Sequence, residues 1–319
     1  MTSRQPTITG DMRPACCEPV APLPVAIVVP TLNEAGGIVA ALRRLRHDFP
    51  DCELVVVDGG SSDATATLAA CHARVLHSPC GRAVQMNVGA SATTAPVLWF
   101  VHADCRIDPK ALGQIRAALV DPRVVGGGLS LRFDRRSIGL DYLAWSSTKR
   151  ARHLHQVFGD QAMFVRRDAF EMLGGFPEIA IMEDLELSRR LARCGRLVVL
   201  RATSTASSRR LVEHGTWSMI VFMQVLKACY FLGVAPQKIC RLYRTGPPWK
   251  RRSKRTRHRL RRQRLARLAA SRWRDPGVAA PRPTRPEPAV ADRARVSKEA
   301  RCRPAHPAMR SHTPVRRQS

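Results

Sequence analysis

From residue 25 onward, short continuous apolar runs alternate with longer stretches in which apolar side chains recur every three or four positions. Residues 25–29 are apolar throughout and too few for a helix, so they predict a buried strand. In 35–47, Ile38, Leu42 and Leu45 share one helical stripe. The alternation continues with a strand at 53–57, a helix at 61–71 opened by a Ser or Asp cap, and a strand at 73–76. A helix at 83–91, a strand at 97–101 and a helix at 109–119, with Pro109 in its first turn, follow. Strands alternating with helices imply a parallel sheet with right-handed crossovers. Residues 24–120 thus read as the Rossmann-like half of an α/β domain.

After a strand at 124–131, which leads out of Gly126-Gly127-Gly128, the alternation gives way to a mixed region. It predicts a strand at 158–165, a short helix at 168–173, and a helix at 183–193 with Leu185, Leu187 and Leu191 inward. A strand at 196–200 and closing helices at 216–232 and 236–243 complete an acceptor half over 121–244. Residues 1–23 lack periodicity and read as a disordered leader. Residues 245–319 are rich in Arg, Pro and Ala and lack the apolar content to order themselves, although 250–274 could be helical.

With 319 residues, 45% of them apolar, the chain can fill a sizeable core. Its formal charge of +28 suggests nucleic acid until it is divided along the chain. Residues 245–319 hold 23 of the 53 Lys and Arg but only 4 of the 25 Asp and Glu, so the preceding part is only +9. The C-terminal segment is the basis of the alternative reading, a protein that binds anionic membrane or nucleic acid. Only Trp249 and Trp273 flank its densest part, without the interleaved aromatics of a single-strand reader, so nucleic acid is not the expected partner. Apart from Cys16-Cys17, the ten cysteines fall in no metal-ligand spacing, as expected for reduced thiols in a cytoplasmic protein. The chain does not open on a basic start, apolar core and small-residue cleavage site. Residues 217–236 come nearest to a membrane span, but they carry Gln224 and Lys227 in their middle, where a charge costs about 2.5 to 3.5 kcal/mol. A buried or surface-lying helix is expected there, and with Phe222 and Phe231 it is the candidate for peripheral contact with the inner face of a membrane.

The polar residues gather at three strand ends: Pro30-Thr31-Leu32-Asn33-Glu34, Asp58-Gly59-Gly60-Ser61-Ser62-Asp63 and His102-Ala103-Asp104. In an open α/β sheet, ligands bind at the carboxyl ends of the strands, so the three outline one site, suited to a nucleotide and a metal. Asp58 can accept the imide or amide hydrogen of a base, with Pro30 to Glu34 closing the pocket; membership of a helix N-cap region is its other reading. Asp104 suits Mg²⁺ or Mn²⁺, which take one or two protein carboxylates and complete their shell with phosphate and water. Capping the helix at Pro109 is its other role, although Asp108 is better placed for that. Arg82, with Gln85 and Asn87, opens a helix whose first amides favour phosphate, unless Arg82 is simply solvated. Glu183-Asp184 begin a helix, where one carboxylate can serve as a general base or both can complement the helix dipole. Ser207-Ser208-Arg209-Arg210 and His214 either contact a diphosphate or form a basic surface loop. No G-x-G-x-x-G follows 25–29, which argues against a Rossmann dehydrogenase or methyltransferase.

Taken in order, residues 25–34, the turn at 56–63, His102-Ala103-Asp104, Gly174-Gly175-Phe176 and Glu183-Asp184 resemble the family-2 glycosyltransferases of GT-A fold. Within that family, residues 81–87, Gly159-Asp160-Gln161 and Ser208-Arg209-Arg210 resemble the radical-SAM and selenodomain-associated subgroup connected with arsenosugar biosynthesis. The resemblance implies a mostly parallel GT-A sheet flanked by helices, and nucleotide binding by Pro30, Thr31, Asn33, Glu34, Asp58, Ser61, Asp63, Arg82, Asn87, His102 and Ala103. It implies an inverting mechanism in which Asp184, with Glu183 beside it, takes the proton of an acceptor hydroxyl, a lipid-linked one included. Mg²⁺ or Mn²⁺ on Asp104, with Arg82, Arg209, Arg210 and His214, would attend the diphosphate of a nucleotide-diphosphate sugar. One departure stands out: the family's Asp-x-Asp begins here with His102, so metal binding rests on the second carboxylate.

Overall fold

The computed structural model describes residues 22–248. Most of the expected leader, and the basic segment beyond 248, lie outside the described residues. The first half runs β1 (Val25–Thr31), α1 (Ile38–Asp48), β2 (Glu53–Asp58), α2 (Thr65–Ala70), β3 (Arg74–His77), α3 (Arg82–Ser91), β4 (Val97–Phe100), β5 (Arg106–Ile107) and α4 (Ala111–Ala118). The second half runs β6 (Val124–Phe133), α5 (Ile138–Leu154), a 3-10 turn (Gly159–Gln161), β7 (Phe164–Arg166), α6 (Arg167–Met172) and α7 (Glu183–Cys194). It closes with β8 (Arg196–Ala206), α8 (Arg209–His214), α9 (Thr216–Phe231) and α10 (Pro236–Thr245). The strands form one sheet in the order β3-β2-β1-β4-β7-β6-β8-β5. The β3 to β4 block is parallel, β7 is antiparallel to both its neighbours, and β6 and β8 are parallel.

Helices cover both faces, which is why β1, β2 and β4 read as unbroken apolar runs. Ile27, Val29, Val56 and Trp99 pack with Leu42 and Phe49 on one side. Val28, Val57, Leu98 and Phe100 pack with Met86, Phe170 and Phe176 on the other. Trp99 is fully buried, meets Phe49 edge-on at 5.0 Å between ring centroids, and donates its indole N–H to the Ala162 carbonyl at 3.1 Å. A third apolar cluster joins α5, α7, α8, α9 and α10 through Leu140, Leu143, Leu185, Leu211, Phe222 and Ile239.

Several elements depart from expectation. The strand expected at 158–165 is broken by the 3-10 turn, because Gln161 turns its side chain inward; its Nε2 donates to the Leu129 carbonyl at 3.2 Å and its Oε1 accepts from the Phe158 amide at 3.3 Å. Helices α1 and α2 begin later than predicted: Ser61 accepts the Asn33 amide and so holds a loop, while Asp63 accepts the Ala35 amide and, at 3.0 Å, the amide of Thr65, where α2 starts. Asp108, not Asp104, closes the start of α4, accepting from the Lys110 amide at 3.0 Å. The basic segment before His214 is helical, as α8. Leu23 already packs on the core, and Gly246 and Pro247 are buried, so packing extends slightly beyond 24–244 at both ends. Phe222, expected on a membrane-facing surface, is 3% exposed and faces the third cluster. Among the described residues no helix is long and apolar enough to cross a membrane.

Candidate active site

Register builds the site's edge. Thr31 lies level with Asp58, and Val28 with Phe100, so residues 31–35, 58–63 and 102–104 leave the sheet together. The first two segments are cross-tied. Asn33, at φ 57°, accepts the Ser62 amide at 2.8 Å and gives its own amide to the Ser61 hydroxyl at 2.9 Å. The Glu34 amide donates to Thr65 Oγ1 at 2.8 Å, and the Ala35 amide to Asp63 at 3.3 Å. Asp58 is 2% exposed; its carboxylate accepts the amides of Gly60 at 3.0 Å and Ser61 at 2.9 Å, and the Ser61 hydroxyl. Gly60, at φ 85°, lets the turn fold back onto that carboxylate. Gln85, buried on α3, donates to the Thr31 carbonyl at 2.8 Å and the Val57 carbonyl at 2.9 Å, clamping β1 to β2.

Two cavities flank Asp104. The larger, about 1260 Å³, is an open groove lined by Asn33, Glu34, Ala103, Arg132, Trp145 and Arg209, among others. The smaller, about 290 Å³, lies among Arg82, His102, Asp160, Glu183, Asp184 and Arg210, with Met219, Met223 and Leu226 of α9 as its apolar wall. Asp104, Phe133 and Ser207 border both.

In the smaller cavity, α7 presents Asp184, 7% exposed, at its first turn. One carboxylate oxygen accepts the Gly159 amide and the other the Leu185 amide, each at 2.7 Å. Gly159 is needed there: a Cβ would stand 2.5 Å from the His102 ring. Met182, just before α7, sits at φ 70°, a conformation that non-glycine residues keep only where their surroundings impose it. Glu183 meets Arg82 at 3.3 Å. Burial, reinforced by Asp184 and opposed by Arg82, raises the Glu183 carboxyl to about 7. Burial and Asp184 likewise push Asp160 up to about 6. Arg150 stacks on the Phe158 ring at 4.4 Å, and burial together with Arg150 lowers Lys227 to about 8.

A divalent cation fits the strand end. Ligand atoms of His102, Asp104 and Cys105 lie within 4.8 Å of one another. His102 Nε2 is buried without a hydrogen-bond partner, and burial with nearby Arg82 lowers the imidazole to about 3, which keeps it neutral with a lone pair to offer. Burial raises the Cys105 thiol, leaving it protonated and a poor ligand. A carboxylate with a neutral imidazole suits Mn²⁺, and the carboxylate alone suits Mg²⁺.

The predicted residues thus divide. Asn33, Glu34, Ala103 and Arg209 line the groove; Arg82, His102, Glu183, Asp184 and Arg210 line the small cavity; Asp104 borders both. Pro30, Thr31, Asp58, Ser61 and Asp63 line neither. Asn87 is also absent from both: its amide donates to the Phe176 carbonyl and accepts the Phe176 amide, both at 2.9 Å, tying α3 to that turn. His214 ends α8 and packs against Gly246. Sequence reasoning did not place Arg150 in the site, and it met Asp160 only as a motif residue and Lys227 only as a charge within 217–236. The available signal was phase: Lys227 falls on the inward stripe of α9 with Met219, Met223 and Leu226.

Residues 26–172 match the family model of Glycosyl transferase family 2. An uncharacterized glycosyltransferase of Mycobacterium tuberculosis (strain H37Rv) is 34% identical over 97 residues, covering 30% of this chain and 43% of that protein. One from Mycobacterium bovis matches to the same extent. This chain therefore spans less than half the length of the curated relatives it matches. The mannosyltransferase PcManGT from Pyrobaculum calidifontis, in complex with GDP-Man and Mn²⁺, superposes with a TM-score of 0.51 at 21% identity, covering 67% of this chain and 66% of that one. Glucosyl-3-phosphoglycerate synthase from Mycobacterium tuberculosis, in complex with Mg²⁺ and UDP, gives 0.47 at 21%, covering 64% and 79%. The family match is confined to residues 26–172, and the sheet order, the flanking helices and the superposition on PcManGT show a GT-A fold.

Proposed function

We propose that the protein transfers a sugar from a nucleotide-diphosphate sugar to an acceptor hydroxyl, with inversion at the anomeric carbon. The position of Asp104 carries this reading: it borders both the groove containing Asn33 and Glu34 and the cavity containing Asp184. A donor diphosphate and an acceptor would meet across that carboxylate. PcManGT, in complex with GDP-Man and Mn²⁺, holds the same ligand classes.

In this reading Asp184 removes the acceptor's hydroxyl proton while that oxygen bonds to the anomeric carbon. The bond from that carbon to the diphosphate oxygen breaks in the same step, and the diphosphate leaves with the electron pair. The amides of Gly159 and Leu185 hold both oxygens of Asp184, which aims the base and limits its rotation. General-base assistance of this kind contributes about 10² to 10⁴-fold. Arg82, Arg209 and Arg210 offer positive charge to the departing diphosphate, and Glu183 anchors Arg82. Asp104 and His102 would hold Mn²⁺ or Mg²⁺, which supplies Lewis-acid stabilisation of that charge. Affiliation with the radical-SAM and selenodomain-associated subgroup has its own support: Arg82, Asp160 and Arg210, one from each subgroup motif, meet on the walls of the small cavity.

A thermal-shift panel of nucleoside diphosphates and their sugars, with and without Mn²⁺, tests the proposal. Stabilisation by the diphosphates of one base, enlarged by Mn²⁺, is expected; stabilisation by none of them overturns it.

A further inference from the structure

Two helices of the second half turn apolar side chains to solvent. On α9, Trp217 and Val221 are each 55% exposed and Val225 46%, with Phe231 at 53% by the helix end. Gln224 is the one polar side chain among the exposed residues of that helix. The opposite side of α9 walls the small cavity with Met219, Met223 and Leu226 beside Lys227, so the helix carries apolar side chains on two sides, which an ordinary surface helix does not. Beside it, α5 exposes Ile138 at 84%, Tyr142 at 47% and Trp145 at 56%. The two sets are continuous: the Tyr142 ring lies 5.7 Å from Trp217 and 6.1 Å from Trp145. An apolar patch of this kind marks an interaction surface.

The charges on these elements are mostly positive. Lys149 sits 5.0 Å over the Trp145 ring, and Arg152 follows it, exposed, at the end of α5. Helix α10, packed on α9, exposes Lys238, Arg241 and Arg244 and carries no acidic residue. The acidic residues of α5 and α8 are Asp141, which is paired with Arg136 at 3.5 Å, and Glu213. The sequence from 245 onward adds 23 Lys and Arg against 4 Asp and Glu.

We propose that this patch docks the protein onto an anionic lipid surface. Tyr and Trp rings have an apolar body and a polar edge, the combination that settles at headgroup depth. Ile138, Val221 and Val225 would enter the acyl boundary, while the neighbouring Lys and Arg side chains face lipid phosphates. A second copy of the chain is a poorer occupant, because a two-fold contact would set like charges against one another. The attachment lies in the membrane plane, since no described helix can span. The α9 part of this surface is separable from the transferase reading, as Val221 and Val225 line neither cavity, whereas Trp145, Lys149 and Arg152 of α5 also border the groove.

The test uses the full chain with phosphatidylcholine vesicles, with and without phosphatidylserine, in co-sedimentation. The wild type binds the anionic vesicles, and brominated acyl chains quench its tryptophan fluorescence. The double variant Val221→Glu, Val225→Glu loses about tenfold or more in binding, although its basic C-terminal segment is intact and its circular dichroism unchanged. Trp217→Ser, a milder change, gives a smaller loss in the same direction and serves if the double variant does not fold. Three results overturn the proposal: no vesicle binding by the wild type, undiminished binding by these variants, or a wild-type dimer in sedimentation velocity that the variants dissociate.

Discussion

The strand-end loops at 31–35 and 58–65 and the small cavity behind Asp104 lie at one edge of the sheet, yet they treat polar groups in opposite ways. In the loops, Asn33, Asp58, Ser61, Asp63 and Thr65 spend their polar atoms on one another. In the cavity region, His102 Nε2, Arg150 Nε and Arg210 Nε are buried without hydrogen-bond partners, and Glu183 and Asp160 titrate above the ordinary carboxylate range. A saturated network holds a shape; an unsaturated one holds groups ready for a ligand or a proton.

That contrast can be broken by experiment, most forcefully at Asp184. Asp184→Asn should lower turnover by about 10² to 10⁴-fold while leaving nucleotide-sugar binding by calorimetry nearly unchanged; an active variant would remove Asp184 from its role. Next in size is Gly159→Ala, whose Cβ would stand 2.5 Å from the His102 ring. The displaced ring and the Asp184 contact should cost up to about 10²-fold in turnover and about 1 to 3 kcal/mol of stability in denaturant titration.

Asp58→Asn probes the loops instead. It weakens hydrogen bonds from two amides and a hydroxyl, so stability should fall by about 1 to 3 kcal/mol, with a weaker donor affinity and an almost unaltered kcat. A loss of kcat as large as at Asp184 would erase the distinction between the two regions. The smallest effect concerns pH. Glu183 titrates at about 7 when folded against an ordinary value of 4.5, so the folded state binds more protons between those values and stability falls as pH rises through that window. Thermal midpoints measured from pH 4.5 to 7.5 should decline less steeply in Glu183→Gln; an identical slope would mean that Glu183 is not desolvated.

The first half was the more legible because its periodicity is local. β1, β2 and β4 are apolar runs buried on both faces, and Leu185, Leu187 and Leu191 are buried on α7 as their spacing predicts. Helix α5 escaped notice because its pattern is blurred: with Leu140 and Leu143 it buries the small residues Gly139, Ser147 and Ala151, and it exposes Ile138, Tyr142 and Trp145. Its start did carry a signal, Ser137, whose hydroxyl accepts the Leu140 amide at 3.3 Å. Asn87 misled for a different reason. An Asn one turn into a helix beside Arg82 looks the same whether it meets phosphate or, as here, the backbone of a turn 89 residues away.

By itself, the sequence determined the alternating half, the three strand ends on one edge and the acidic start of α7. Hydrophobic period, strand length and helix-end chemistry are properties of neighbouring residues. Only the tertiary structure decided that Asp104 borders two cavities, that Gly159 aims Asp184, that Asp58 faces its own loop, and that α9 has one apolar side inside and another outside. Each of these depends on which distant segments the sheet order and crossovers bring together, and that information is absent from any local window of the chain.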